Sequence, residues 1–202
     1  MISINQLKLL RDGAEVISGF NAEFKAGTVT AIIGPNGSGK STLLLAIAGD
    51  LPIASGSILI NGSQVSSYGI SELAKLRAVV LQQPIFNLAF TVCEVMEMAR
   101  SAGSTSKGES QALIELAISE LAERKVTELS GGEKQRVAIA LALAVDAPVL
   151  LLDEPFAAQD SDSRNRIIQL LKNAAKSGKS VILVAHLPEA ELLWCDQIIK
   201  DF

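Results

Sequence analysis

Thr28-Val29-Thr30-Ala31-Ile32-Ile33-Gly34-Pro35-Asn36-Gly37-Ser38-Gly39-Lys40-Ser41 is the stretch on which the fold turns. Thr28–Ile33 is an apolar, β-branched run of the kind that forms a buried strand. Gly34–Gly39 is a glycine-rich loop, and Lys40–Ala48 has helical composition, stopped by Gly49 and Pro52. Gly34–Ser41 fits the pattern G-x-x-x-x-G-K-[ST]. Its glycines let consecutive backbone N–H groups turn inward around phosphates, and the following helix adds the positive end of its dipole. Lys40 can reach the β- and γ-phosphates of a nucleotide, and the Ser41 hydroxyl can ligate Mg²⁺. A glycine-rich turn with a chance lysine would match the same eight letters. The strand before it and the helix after it favour the phosphate loop.

Outward from this loop, the chain before it reads as β. Ile2–Leu10 alternates apolar and polar residues, and Val16–Phe24 does so more loosely. After the loop, Ser57–Ile60 runs into the turn signal Asn61-Gly62, Ile70–Leu76 has helical composition, and Ala78–Leu81 is a short apolar strand. From Val92 to Leu129 strand signals stop. Glu94–Arg100 and Gln111–Arg124 have helical periodicity, separated by the small, polar stretch Ser101–Ser110. The alternation then resumes with helix Glu133–Val145, strand Val149–Leu152, helix Asp162–Lys176 and strand Ser180–Ala185. Strands alternating with helices imply a largely parallel sheet with right-handed crossovers. The expectation is therefore an α/β fold over residues 1–202, with an N-terminal antiparallel β part and a helical subdomain inserted at about 92–129.

Bulk properties narrow the class. The 202 residues are 49% hydrophobic and 20% charged, and the mean hydropathy of +0.34 raises the question of a membrane span. Val137–Val145 and Val149–Leu152 are the richest apolar stretches, and both fall far short of the ~20 residues a spanning helix needs. Lys8, Arg11, Asp12 and Glu15 interrupt any apolar leader, so the chain is expected to stay in the cytoplasm. A net charge of −4 lacks the basic footprint of a nucleic-acid binder. Cys93 and Cys195 have no metal or redox spacing and are expected to be reduced packing residues.

A nucleotide enzyme also needs acid on the far side of the metal. Val149-Leu150-Leu151-Leu152-Asp153-Glu154 supplies it, a buried strand ending in two carboxylates. Asp153 is placed to hold Mg²⁺ and Glu154 to polarise the water that attacks the γ-phosphate. An apolar strand ending in acids is common; its weight comes from the phosphate loop that accompanies it. Leu129-Ser130-Gly131-Gly132-Glu133-Lys134-Gln135-Arg136 then separates this chain from other nucleotide enzymes. Ser130, Gly131 and Gly132 alone could be a plain helix N-cap, with free N–H groups and a hydroxyl. The full octapeptide, shortly upstream of the acidic strand, resembles the signature motif of the ABC-type ATPases.

That resemblance runs from about Ile2 to Ile199 and implies a P-loop NTPase-type fold, with two chains docked head to tail. Each ATP would be sandwiched between one chain's phosphate loop and the other's signature, in a homodimer or with a similar ATPase chain. By resemblance the ATP-binding residues are Arg11, Gly34, Pro35, Asn36, Gly37, Ser38, Gly39, Lys40, Ser41, Thr42, Ser130, Gly131, Gly132 and Asp160. Mg²⁺ would be held by Ser41, Asp153 and Gln82, with Gln83 a rival that the distance to Phe90-Thr91-Val92 disfavours. Glu154 and His186, which ends the strand Val181–Ala185, would be catalytic. The chain departs from the family in four places. Ala157-Ala158-Gln159-Asp160 lacks the usual leucine before the aspartate, Arg11 stands where an adenine-stacking aromatic is expected, and Leu187 follows His186 in place of the frequent aspartate. The C-terminal turns of many relatives are also not seen after Asp196.

The partners implied are integral membrane permease subunits and an external substrate-binding protein, with this chain peripheral on the cytoplasmic face. Glu72–Gln82, Phe90-Thr91-Val92 with Glu94-Val95, and Leu121–Val126 look most like importer motors for iron-siderophores, haem and cobalamin. Another ABC importer or exporter is the alternative, as is a soluble ABC-superfamily ATPase. Repair relatives carry long coiled coils and ribosomal ones two cassettes, and neither is present here. A P-loop metabolic kinase predicts no signature motif.

Overall fold

The structure, a computed structural model, describes residues 1–101 and 112–200. Two sheets organise it. Strands β1 (Ile2–Arg11), β2 (Ala14–Phe24), β4 (Ser55–Ile60) and β5 (Ser63–Gln64) form an antiparallel sheet in the order β2-β1-β4-β5. Strands β3 (Val29–Ile32), β6 (Arg77–Val80), β7 (Val149–Asp153), β8 (Ser180–Val184) and β9 (Gln197–Ile199) form a parallel sheet in the order β6-β7-β8-β3-β9. The expected α/β architecture with an antiparallel N-terminal part is what the chain adopts.

Burial explains why these runs become strands. β3, β7 and β8 are buried along their whole length, as expected of parallel strands covered on both faces. The two-residue period of a strand then deals their apolar side chains to two cores. Val149, Leu151, Ile182 and Val184 face the antiparallel sheet and helix α1 (Lys40–Ala48). Leu150, Leu152, Val181 and Leu183 face helices α4 (Gly131–Ala144) and α5 (Ser161–Lys176) on the other side. α1 lies between the sheets and buries Leu43, Leu44, Ala46, Ile47 and Ala48, so it is apolar all round. α5 buries only one stripe, Ile167, Leu170, Leu171, Ala174 and Ala175, at helical spacing. Each fully buried Leu or Ile contributes roughly 1.5–3 kcal/mol.

Between β6 and α4 the chain leaves the sheet. α2 (Ile70–Leu76) precedes β6, and α3 (Val92–Ser101) opens the excursion. Its two ends are stitched together by backbone bonds from Val92 N to Arg124 O (3.0 Å), Cys93 N to Ala122 O (2.9 Å) and Val126 N to Phe90 O (2.9 Å). The helix expected over Gln111–Arg124 is not continuous. It stops at Ala117, whose φ of 52° is left-handed, and Ser119–Leu121 is a short 3₁₀ turn. The break lets Leu116, Ile118 and Leu121 all turn inward (0%, 0% and 5% exposed), which a straight helix could not do for this spacing. Ser101 is the last described residue of α3; the expected polar spacer Ser101–Ser110 otherwise lies outside the described residues, as does Gln111. Cys93 is exposed, contrary to its expected packing role, because Val92 takes the inward position beside it. Cys195 is half-buried, and burial pushes its thiol up to about 12. Strand β9 was not legible in the sequence: three residues carry no period, and its pairing with β3 defines it.

Candidate nucleotide site

Parallel pairing puts the carboxyl ends of β6, β7, β8 and β3 on one edge of the sheet, the place where open α/β sheets bind ligands. In register, Val80 lies beside Leu152, Asp153 beside Val184, and Val184 beside Ile32. The residues just past those positions are Gln82, Glu154, His186 and Gly34. Four separate stretches of sequence thus converge because their strands stop level with one another.

A cavity of about 620 Å³ opens there, and Arg11, Asn36, Gly37, Gly39, Lys40, Ser41, Thr42, Gln82, Glu154 and His186 all line it. Gln82 lines it and Gln83 does not. Arg11 reaches it from the end of β1, where Asp12-Gly13 closes the hairpin to β2. Val16, from β2, also lines the cavity and was not singled out in the sequence. Its neighbour Ile17 packs where a Cβ on Gly39 would lie, 3.1 Å from Ile17 Cγ1, and Gly39 has φ of 92°. Glycine is therefore required at that bend by conformation and by space.

Lys40 is 4% exposed, and its Nζ donates to Gly34 O (2.9 Å) and Pro35 O (2.7 Å), crossing the loop from α1 to its entry. Burial lowers the ammonium pKa, opposed by the carboxylates of Glu154 and Asp153. Asp153 is 7% exposed, and burial raises its carboxyl, while a hydrogen bond from Ser41 acts the other way. Asp153 Oδ1 is buried without a hydrogen-bond partner, as is Ser38 Oγ. Glu154 stands in the left-handed region with φ of 49°, and its N–H donates to Val184 O at 3.0 Å. That turn swings its carboxylate toward β8, with Oε1 3.0 Å from His186 Nε2. Glu154, half-buried, can take a proton from water in the cavity, and His186 can hold or orient the carboxylate.

Ser130, Gly131, Gly132 and Asp160 do not line this cavity. Ser130 caps α4: its Oγ accepts from Glu133 N (3.3 Å), while its own N–H donates to Glu133 Oε2 (2.7 Å). Those bonds hold the Glu133 carboxyl below the usual range. Ser130 and Gly131 are exposed, so the amino end of α4, closed by its capping box, faces outward. Asp160 caps α5, accepting from Ser163 N (2.7 Å) and Ser163 Oγ (3.1 Å), which lowers its pKa. Gly131 instead lines a second hollow of about 390 Å³ together with Gln82, Gln83 and Gln135.

The ABC transporter family model matches residues 17–157 of this chain. The hemin import ATP-binding protein HmuV of Streptomyces coelicolor is 41% identical over 187 residues, covering 89% of this chain and 67% of that protein. HmuV of Rhizobium meliloti is 35% identical, covering 98% and 81%. The cobalamin import ATP-binding protein BtuD of Halobacterium salinarum is 34% identical over 93% of this chain, which spans about half (49%) of that relative's length. Among solved structures, a dimeric bacterial ABC transporter cassette superposes with TM-score 0.86 at 29% identity, covering 99% of this chain and 94% of the other. An Atm1-family ABC exporter with ATP bound gives TM-score 0.87 at 27% identity, with 98% of this chain covering 36% of the exporter. With its loop, paired acids and signature in the family's order on the family's fold, this chain belongs to the ABC transporter family and is one of its ATP-binding, ATP-hydrolysing subunits.

Proposed function

We propose that this chain drives an importer of haem, an iron-siderophore or a related metal chelate, working as a dimer beneath integral membrane permease subunits. The observation that carries the cargo class is the 41% identity to a hemin import protein across 89% of the chain. The phosphate loop Gly34–Thr42 holds the triphosphate, and Lys40 leaves its two carbonyl partners for the β- and γ-phosphates. Arg11 lies over the base through its planar guanidinium. Glu154 takes the proton of the attacking water, and His186 holds that carboxylate toward the γ-phosphate.

The residues at the end of β7 fit a Mg²⁺ ion. Asp153 presents a buried oxygen with no hydrogen-bond partner, Ser41 is beside it, and Gln82 lines the same cavity. An all-oxygen donor set of this kind suits a hard divalent cation. When bound, the ion would offset charge on the phosphates.

The outward-facing amino end of α4 supports the dimer. Ser130, Gly131 and Gly132 stand outside their own chain's cavity, so a second copy docked head to tail brings them to its γ-phosphate, with Asp160 near the seam. Dimeric cassettes among the similar structures support the same assembly. The excursion at about 92–129 forms a helical subdomain within a single ATPase domain of 1–202. Leu81 and Ile85 are exposed (46% and 76%) along a groove of about 340 Å³ and offer an apolar seat for a permease loop. No described helix is long and apolar enough to cross a membrane. On this reading the chain sits peripherally on the cytoplasmic face, attached through its permease, with an external substrate-binding protein delivering cargo.

Reconstitution with its permease tests the reading. A haem- or siderophore-loaded external binding protein should stimulate ATP hydrolysis and drive cargo inward. Stimulation only by a lipid or drug offered on the motor's own side would overturn import while leaving the ATPase intact.

A further inference from the structure

Arg11 enters the nucleotide cavity with its donors free. It is exposed at the end of β1, beside the left-handed Asp12 (φ 51°), and lines the cavity. Among the described residues no hydrogen bond or ion pair holds its guanidinium, whereas Arg77, Arg124, Arg136 and Arg164 are each tied to a neighbour's oxygen. The acids beside it in the hairpin are turned elsewhere. Glu15 is paired with Lys8 and hydrogen-bonded by Ser18, and neither Glu15 nor Asp12 lines the cavity.

The cavity has two chemically different ends. Its side-chain acceptors, Asn36, Ser41, Thr42, Gln82, Glu154 and His186, come from the phosphate loop, the first turn of α1 and the carboxyl edge of the parallel sheet. The antiparallel sheet gives it only Arg11 and Val16, a cation and an apolar wall. With the triphosphate on the loop, the base lies toward those two. A side chain there can donate, and none can accept. Arginine carries its N–H groups in a planar fork and has no acceptor. Guanine presents O6 and N7 side by side, and the fork meets both. Adenine presents N7 beside its N6 amine, so the same approach sets donor against donor. Over adenine the guanidinium is left with the ring face, while guanine offers it the edge as well.

We propose that Arg11 selects guanine, so that the motor takes GTP as well as ATP and holds GTP more tightly through the O6–N7 edge. This rests on the reading above that Arg11 stands at the base. The chemistry is the same for both nucleotides. Water oxygen bonds to the γ-phosphorus, the bond from that phosphorus to its bridging oxygen breaks, Glu154 takes the proton, and GDP and inorganic phosphate leave. The preference therefore belongs to KM and not to kcat. An aromatic side chain in this place would stack on either purine and read neither edge.

Diphosphates read the base without turnover. Titrated into the dilute monomer with Mg²⁺, GDP should bind about threefold to tenfold tighter than ADP, the low end for a bidentate pair because this one stays open to water. Inosine diphosphate keeps O6 and N7 and should match GDP, whereas 7-deaza-GDP lacks N7 and should fall toward ADP. Arg11→Tyr should bring GDP to the affinity of ADP. In steady state GTP should show the lower KM at an equal kcat. Equal binding of GDP and ADP by the wild type, or 7-deaza-GDP binding as GDP does, overturns the guanine readout. Arg11→Ala separates the two layers of the argument. If it weakens both diphosphates by one factor, Arg11 stacks on the base without reading it, and the proposal alone fails. If it weakens neither, Arg11 is not at the base, and the reading beneath the proposal fails with it.

Discussion

Glu154 Oε1 lies 3.0 Å from His186 Nε2, although the two are 32 positions apart in the chain. The contact exists because β7 and β8 are parallel neighbours in register, with Asp153 beside Val184. An acid and a histidine, each ordinary in sequence, become a pair at the mouth of one cavity.

Removing the acid while keeping its shape tests its role. Glu154→Gln should bind ATP with near wild-type affinity and hydrolyse it ~10²–10⁴-fold more slowly, the usual cost of losing a positioned general base. Light scattering should find this variant dimeric with ATP and Mg²⁺ and monomeric with ADP. Lys40→Ala should lose ATP affinity as well. Turnover by Glu154→Gln within tenfold of wild type sinks the assignment.

Asp153 makes a prediction about pH. Burial raises its carboxyl in the folded chain, so the native state binds this proton more tightly than the unfolded state does. Its contribution to stability is therefore fully present below the ordinary carboxylate value of ~4 and is lost as pH rises through the raised value, which leaves the buried carboxylate destabilising at neutral pH. Nucleotide- and metal-free Asp153→Asn should be more stable than wild type at neutral pH, by on the order of 2 °C in Tm. The gap should close as pH is lowered toward 4. Thermal melts across that range check it, and a gap independent of pH contradicts it.

Arg11 should contribute stacking rather than phosphate charge, since it enters the cavity from the β1–β2 hairpin and not from the loop. A guanidinium over an aromatic face at an exposed site is worth ~0.5–1 kcal/mol. Arg11→Ala should weaken ATP binding about two- to fivefold, and Arg11→Tyr should restore it. Equal affinities for all three by titration would remove Arg11 from the site.

Single cysteines across Gln83–Leu88 should crosslink to a cytoplasmic loop of the permease, because Ile85 is exposed along the apolar groove and Pro84 and Phe86 line it too. Crosslinks confined to other faces would place the permease elsewhere. Cys93 should be replaced first, since it is itself exposed.

The sequence by itself determined what depends on neighbours along the chain. Gly34–Ser41 is legible as a phosphate loop because its glycines, lysine and hydroxyl act within one loop. Val149–Glu154 must be a buried strand with acid at its end, and Ser130 with Glu133 must start a helix, because capping acts over three residues. Tertiary structure decided what depends on distant partners. Strand β9 has too few residues to show a period and is fixed only by pairing with β3. Ala117 breaks an otherwise helical run because Leu116, Ile118 and Leu121 all find the core. Gln82 rather than Gln83 faces the cavity, and Gln159 reaches Gly132 O, because of how separate elements are set against one another. Local hydrogen bonding and side-chain period are written residue by residue; which strands stop level, and which loops then touch, follows only when two cores are packed at once.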